Sequence, residues 1–86
     1  MKIYRLKTQH QFMMDVAIGK KTFEVRFNDR NYQVGDRLLL LGWDNKKKEY
    51  TGQEIETEIT YILIGGQFGI EKGFVVMGIE VNERKN

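Results

Sequence analysis

The stretch from Gly19 to Arg26 constrains the fold of this chain more than any other. A glycine and two lysines end a helical pattern, and the alternating segment Thr22 to Phe27 follows at once. Strict alternation is typical of a half-buried β-strand, because successive side chains point to opposite faces. The pattern predicts a strand with three apolar side chains in the core and three polar ones on the other face. The apolar set is Phe23, Val25 and Phe27, and the polar set is Thr22, Glu24 and Arg26.

The residues before Gly19 predict a short strand and then a helix. Residues 2 to 7 have the composition of a strand, and residues 9 to 18 carry apolar side chains at helical spacing. Thr8 and Gln11 have capping-box spacing, which places Thr8 at the start of the helix. Gly19 then supplies the left-handed residue that ends it. The predicted buried stripe of the helix is Phe12, Met13, Val16 and Ala17.

Three more strands are predicted after a turn at Gly35 and Asp36. Residues 37 to 43 contain four consecutive leucines, which indicates burial on both faces. Residues 53 to 63 alternate, and residues 74 to 81 are apolar almost throughout, whereas residues 82 to 86 are expected to fray. In the alternating strand the predicted inward set is Ile55, Thr57, Ile59, Tyr61 and Leu63, and the outward set is Glu54, Glu56, Glu58 and Thr60.

The order β-α-β-β-β-β predicts an α+β, mainly β fold: a small barrel of about five strands with one helix between strands 1 and 2. An 86-residue chain has room for one domain, residues 1–86. It has no cysteine, and its net charge of +2 is too small to indicate nucleic acid by total charge. No apolar run suits a signal peptide or a membrane span. We therefore expect a cytoplasmic, monomeric protein without a membrane partner.

Candidate functional residues lie on the polar face of the alternating strand. Glu24 and Arg26 are two apart, so their side chains project the same way, and Lys21 lies just upstream. A carboxylate among cations stays ionised and oriented, and the cations keep free donors for a phosphate or a carbonyl. A solvent-facing strip of ion pairs, which contributes little to stability, explains the same pattern. Periodicity leaves both interpretations open.

The spacing Gly19-x-Lys21-x-x-Glu24-x-Arg26 resembles the signature of the ASCH (activating signal cointegrator homology) domain, which shares a β-barrel with the PUA RNA-binding domains. The likeness covers nearly the whole chain, which is similar to a branch of small uncharacterised bacterial and phage proteins within that superfamily. Relatives often carry a histidine near Tyr4, where this chain has none. The other matching segments are Asn28-Asp29-Arg30, Tyr32, Val34-Gly35-Asp36, Tyr50 to Ile55, Thr60 to Leu63 and Gly73 to Ile79.

The resemblance implies an RNA or nucleotide ligand, without a cofactor, in a PUA-like/ASCH cleft between the helix and the barrel. Lys21 and Arg26 would contact phosphate or a base carbonyl, and Glu24 would hold those cations or accept from a base amino group. Arg30 would add a cation at the mouth of the cleft, and Lys20 a phosphate contact from outside. Binding at such a site should weaken with salt.

Some ASCH-like proteins are amidohydrolases that act on acylated cytidine through a threonine at the position of Glu24. This chain has no hydroxyl there, and Thr22 lies two residues early. In an enzyme, Lys21 and Glu24 would be the catalytic residues, with Glu24 activating water, although cationic neighbours make a carboxylate a weaker base. The absence of this threonine favours a binding function over a catalytic one. A third alternative is a protein-interaction adaptor whose leucine-rich or terminal strand completes a partner's sheet.

Other polar and aromatic residues have simpler explanations. Residues 46 to 48, three lysines, could touch a nucleic-acid backbone, but a solvated hairpin tip accounts for them. Trp43 and Tyr50 could stack on bases, and they also suit a cross-strand pair. His10 has no evident partner, and the row of glutamates suits a solvent face, so no metal site is predicted.

Overall fold

A computed structural model describes residues 1–82 and contains one sheet and one helix. The strand order is β1-β3-β4-β5-β2, and only the β1–β3 pair is parallel. The sheet curls into a half-barrel, and the helix lies between strands 1 and 2, as predicted. Within the described residues no ladder joins β1 to β2, and we call the gap between them the seam. The elements are β1 (Ile3–Gln9), α1 (His10–Ala17), β2 (Phe23–Phe27), β3 (Arg37–Asp44), β4 (Glu49–Ile64) and β5 (Phe74–Val81).

The core lies on the concave face of the sheet and is closed by one side of α1. Met13 and Val16 are the buried residues of the helix, whereas Phe12 and Ala17 are exposed, so half of the predicted stripe is wrong. The helix has only 8 residues and packs through a single turn. The buried core residues of the sheet and its loops include Leu6, Tyr32, Leu38, Leu40, Ile59, Val75, Met77 and Ile79.

Strand β2 faces the opposite way from the sequence prediction. Glu24 is 3% exposed, whereas Phe23, Val25 and Phe27 are 45%, 50% and 56% exposed. The polar side of the strand therefore faces the interior, and the apolar side lies on the outer surface. There it packs sideways on β5, and the Phe27 and Phe74 rings meet edge to face at 5.6 Å. The reversal is tolerated because cations neutralise the buried carboxylate.

The orientation of β2 gives a stability prediction with a matched control. Val25→Ala should lower the free energy of unfolding by less than about 1 kcal/mol, because half of that side chain is already exposed. Val75→Ala, the same change on the neighbouring strand where the residue is 1% exposed, should cost at least twice as much. Urea unfolding of both variants measures the difference. Equal losses would mean that Val25 points into the core.

Strand β1 extends two residues beyond its predicted end and takes up Thr8. The parallel ladder with β3 continues to the pair Gln9–Trp43, so the backbone stays extended where a helix start was expected. Thr8 is buried and does not cap α1; the N-cap residue is Gln9, which makes no side-chain capping bond. The prediction of a capping box at Thr8 is therefore wrong, because the strand ladder and the interior use that residue.

A shift in register changes the second half of β4. The pairing with β5 shifts between Ile59 and Tyr61, so Tyr61 is 67% exposed and Ile62 packs against the core instead. The predicted inward position of Tyr61 is wrong, because the bulge reverses the alternation after Ile59. A second shift, in the pairing of β4 with β3, lies between Leu41 and Trp43, opposite Gly52.

The topology also excludes one form of the adaptor hypothesis. Both the leucine-rich strand β3 and the terminal strand β5 lie inside the sheet, each between two neighbours. Neither offers a free edge to a partner, because the edge strands are β1 and β2.

The prediction that residues 82 to 86 fray can be compared with the structure only at Asn82. Its backbone N–H donates to the Glu56 carbonyl at 3.0 Å, and residues 83–86 lie outside the described residues.

Candidate functional site at the seam

Three charged side chains meet at the seam around the buried carboxylate of Glu24. One oxygen, Oε1, accepts from Arg26 Nε at 3.2 Å and from Arg26 Nη2 at 3.0 Å. The other, Oε2, accepts from Lys21 Nζ. The Lys21 and Arg26 side chains are 17% and 26% exposed, so both cations still reach solvent. Glu24 is thus a fully occupied anchor that fixes two cations in place.

Arg26 also connects the two edge strands. Its Nη2 donates to the Lys7 carbonyl at 3.1 Å and to Thr8 Oγ1 at 3.2 Å, both on β1. The Thr8 hydroxyl donates in turn to the Leu6 carbonyl at 3.1 Å. A guanidinium therefore bridges the place where a closed barrel would have a strand ladder. Because its donors form a planar fork, arginine can hold both strands and Glu24 at once.

The turn between α1 and β2 positions Lys21. Gly19 has a φ of +81°, and the next two backbone N–H groups, of Lys20 and Lys21, donate to the Asp15 carbonyl at 2.9 and 3.0 Å. This turn satisfies the end of the helix and brings Lys21 back over the start of β2. Lys21 Nζ then donates to the Phe23 carbonyl at 2.7 Å as well as to Glu24. The turn at Gly19 therefore places Lys21 within hydrogen-bonding distance of Glu24.

A cavity of about 450 Å³ opens beside this cluster. Its walls combine charged side chains with two half-exposed rings, Phe12 from α1 and Phe23 from β2. Lys21 Nζ lies 5.0 Å from the Phe23 ring centre and 5.7 Å from that of Phe12. The lining residues are Lys7, Thr8, Gln9, Phe12, Lys21, Phe23, Glu24, Val25 and Arg26.

The cations at the cavity retain unused hydrogen-bond donors. Arg26 Nη1 makes no hydrogen bond to any of residues 1–82, and two of the three Lys21 ammonium donors suffice for its bonds. Both oxygens of Glu24 are occupied. The site therefore presents fixed donors and two ring faces, an arrangement suited to an anionic group attached to a planar one.

The other predicted cations occupy different places. Arg30 is exposed, with its guanidinium 5.8 Å from the Tyr4 ring, and it lines a second cavity of about 270 Å³. Lys20 is exposed and lines neither cavity at the seam. The structure thus brings Lys21, Glu24 and Arg26 into contact and leaves Arg30 and Lys20 outside that cluster.

Six residues of the first cavity were absent from the predicted site, and four of them lie outside β2: Lys7, Thr8, Gln9 and Phe12. They come from β1 and α1, which the sequence does not connect to β2. The buried members Leu6 and Thr8 and the half-buried Tyr4 do alternate along β1, so extending the strand by its own period would have pointed Thr8 inward. Nothing in the local sequence marks Phe12 as a lining residue, because its helical spacing assigns it to the predicted buried stripe.

Two side chains have shifted pKa values: the phenol of Tyr32 near the seam and the carboxyl of Asp44 at the β3–β4 hairpin. Burial raises the pKa of Tyr32, which lines the second cavity, and the nearby Asp29 acts in the same direction. At the β3–β4 hairpin the backbone N–H groups of Lys47 and Lys46 donate to Asp44 Oδ1 at 3.0 and 2.9 Å and lower its pKa. Tyr32 therefore stays a neutral phenol, and Asp44 stays an ionised turn former.

The hairpin tip is accounted for by local contacts. Trp43 and Tyr50 form the predicted cross-strand pair, with ring centres 5.0 Å apart and planes at 77°. Lys7 Nζ lies 4.0 Å from the Trp43 ring centre. The lysines at residues 46 to 48 are exposed, as expected of a solvated hairpin tip.

Two kinds of site are absent from the part of the chain that the structure describes. No group of three or more His, Asp or Glu side chains in residues 1–82 is placed to hold a metal ion. No helix among those residues is long and apolar enough to cross a membrane.

Fold and site together define a small half-barrel protein with a cationic, ring-lined cavity at its open seam. Residues 3–79 match the family described as domain of unknown function DUF3850, and the chain belongs to that family.

Two comparisons place the chain beside individual proteins. It is 39% identical over 59 residues to an uncharacterised 12.9 kDa protein in the GpA 3′ region of Escherichia phage P2. That match covers 69% of this chain and 52% of the phage protein, so it spans about half the length of the curated relative. The crystal structure of the hypothetical protein PH0355 superposes with a TM-score of 0.68 at 18% identity, covering 95% of this chain and 100% of the other. This likeness shows a shared fold.

Proposed function

We propose that this protein is a non-catalytic RNA- or nucleotide-binding module of the PUA-like/ASCH type, and that its ligand binds in the seam cavity. The signature Gly19, Lys21, Glu24 and Arg26 supports the relationship, and the curled sheet with one helix after strand 1 is compatible with it.

The observation that supports this proposal best is the buried anchor. A carboxylate that is 3% exposed has both oxygens committed to two cations, and each of these cations lines the cavity and keeps an unused donor. A surface strip of ion pairs would not bury its acid or enclose a cavity, so that alternative explains the geometry poorly. Fixed, pre-oriented donors lose little freedom when they bind a phosphate.

The proposed roles follow from position. Arg26 Nη1 and the free donor of Lys21 contact a phosphate or a base carbonyl, and Phe12 and Phe23 stack on a base. Glu24 acts through the two cations that it orients, because it has no free oxygen for a ligand. The ligand therefore meets cations and rings, not the acid.

A hydrolase is the less favoured candidate. Glu24 would have to release Lys21 or Arg26 before it could accept a proton from water. The nearest hydroxyl in the cluster, Thr8, already donates its hydrogen to the Leu6 carbonyl and has no partner that could act as a base among residues 1–82. The geometry suits holding a ligand better than attacking one.

Binding measurements test the proposal directly. Lys21→Ala should weaken binding of a labelled uridine or adenosine 5′-monophosphate by about tenfold, since one charge-assisted contact is lost. Isothermal titration calorimetry at 50 mM salt gives the affinity, and circular dichroism checks the fold. Lys72→Ala removes an exposed lysine that lines neither cavity and should leave the affinity unchanged. Equal affinities for wild type and Lys21→Ala would contradict the proposal.

A further inference from the structure

Two cavities lie along the seam and share a wall. The first, of about 450 Å³, lies toward the helix, and the second, of about 270 Å³, lies toward the loop after β2. Lys7 and Arg26 line both of them. The Arg26 guanidinium is the bridge between β1 and β2, so the cavities are the two openings on either side of one cross-link. We call these two adjacent cavities together the seam groove.

Positive charge is concentrated along the seam groove. Its lining contains five cations, Arg5, Lys7, Lys21, Arg26 and Arg30, and two carboxylates, Glu24 and Asp29. Five against two leaves +3, whereas the whole chain has a formal charge of +2, so the remainder of the molecule sums to −1. A small total charge thus hides a local cationic surface, which attracts a polyanion to one place.

The cations of the second cavity are free to bind. The side chains of Arg5 and Arg30 are exposed and make no ion pair with any residue from 1 to 82. Lys7 also contributes to the lining, but its ammonium lies 4.0 Å from the centre of the Trp43 ring, and Trp43 lines neither cavity. The structural role that explains Lys21 and Arg26, holding Glu24, does not apply to Arg5 and Arg30.

Exposed rings occur at both ends of the seam groove. Phe12 and Phe23 line the first cavity, and Phe27, which is 56% exposed, lines the second. Phe23 and Phe27 are four residues apart on one strand, which is about 13 Å in an extended chain. A single nucleotide can place its base on only one of these rings, whereas a short strand can reach both.

We infer that the ligand of the seam groove is a single-stranded oligonucleotide, which crosses over Lys7 and Arg26 and occupies both cavities. The inference rests on the proposed function and extends it from a lone nucleotide to a strand. Arg5 and Arg30 contact the phosphates beyond Arg26, and the rings hold bases at either end. A cationic groove with spaced aromatic faces is how proteins bind single strands without reading every base.

The length of the ligand tests the inference. Fluorescence anisotropy compares 5′-phosphorylated mono-, di- and tetranucleotides of uridine and of deoxythymidine, together with a blunt-ended duplex that is long enough to stay paired under the assay conditions. The tetranucleotide should bind at least about tenfold more tightly than the mononucleotide, because it gains phosphate contacts and one stacking face. The RNA and DNA arms show which sugar the groove accepts, and the duplex should bind more weakly than the single strand.

Substitutions in the second cavity separate the inference from the proposed function. The double substitution Arg5→Ala and Arg30→Ala should lower the affinity for the tetranucleotide about tenfold and leave the affinity for the mononucleotide unchanged. The slope of log affinity against log salt concentration should become shallower by about 0.7 for each lost phosphate contact. Lys72→Ala is the control and should change neither. If the mononucleotide binds through Lys21 and Arg26 but affinity does not rise with ligand length, only the inference of a single-stranded ligand is wrong. If no ligand depends on those two residues, the proposed function is wrong.

Discussion

Replacing Arg26 by alanine should lower the free energy of unfolding by about 2–3 kcal/mol and reduce nucleotide affinity by more than tenfold. The substitution removes both donors to Glu24 Oε1 and leaves an almost fully buried carboxylate with Lys21 as its only cation. Breaking a fully buried pair costs about 3–5 kcal/mol. The expected loss is smaller here because the Arg26 side chain is 26% exposed and water can take part of its place.

The loss from Arg26→Ala also includes the cross-link between the edge strands. Without Nη2, the Lys7 carbonyl and the Thr8 hydroxyl lose their partner across the seam. Hydrogen exchange should therefore show faster opening of β1 in this variant, in addition to the lower midpoint in urea unfolding.

Two further variants test whether the effect of Arg26→Ala belongs to its contacts. Arg26→Lys keeps the charge, but one ammonium cannot contact Glu24 and both β1 acceptors together. The free energy of unfolding of this variant should therefore lie between those of wild type and Arg26→Ala. Arg5→Ala removes an exposed arginine and should change stability by less than about 0.5 kcal/mol. If Arg26→Ala proves no more harmful to stability than Arg5→Ala, the bridge contributes nothing.

Glu24→Gln should destabilise the protein by about 1–3 kcal/mol and weaken nucleotide binding, although it makes the site more positive. The amide keeps an acceptor for Arg26 but turns a donor toward Lys21 Nζ or leaves that ammonium without its partner. The two cations then lose their fixed positions. If net charge alone decided affinity, removing a carboxylate would strengthen binding to an anion, so the sign of the change distinguishes orientation from charge.

Affinity and stability of Glu24→Gln are measured in the same titration and urea series. Asp29→Asn is the matched control, since it removes a carboxylate that lines the second cavity and holds neither Lys21 nor Arg26. It should bind a mononucleotide as tightly as wild type or slightly more tightly. Tighter binding by Glu24→Gln, with a steeper salt dependence, would show that Glu24 only neutralises the site.

The succession of strands along the chain and the position of the helix after the first strand followed from periodicity. Gly19 ends the helix with a positive φ, and Phe74 to Val81 form the last strand with the predicted bounds. The contact among Lys21, Glu24 and Arg26 was also predictable. Glu24 and Arg26 lie two residues apart on one face of β2, and Lys21 lies three residues before Glu24, so their side chains lie close together. These features depend on short-range geometry, which the sequence contains.

Long-range contacts supplied the rest of the site. Thr8, Lys7 and Phe12 reach the cluster only because the sheet curls until β1 approaches β2, which are 14 residues apart between Gln9 and Phe23. The exposure of Tyr61 depends on a bulge in pairing with β5, and no pattern within β4 marks that bulge. Each of these features requires two segments to meet.

For this chain, the sequence by itself determined that β2 has two unlike faces and that Glu24 and Arg26 share the polar face, with Lys21 just upstream. Only the tertiary structure decided which face is buried. Alternation defines two faces but does not assign them, since burial depends on what packs against each side. Here the buried charges are satisfied by one another and by β1, so the polar face could turn inward, and Phe23, Val25 and Phe27 lie on the surface.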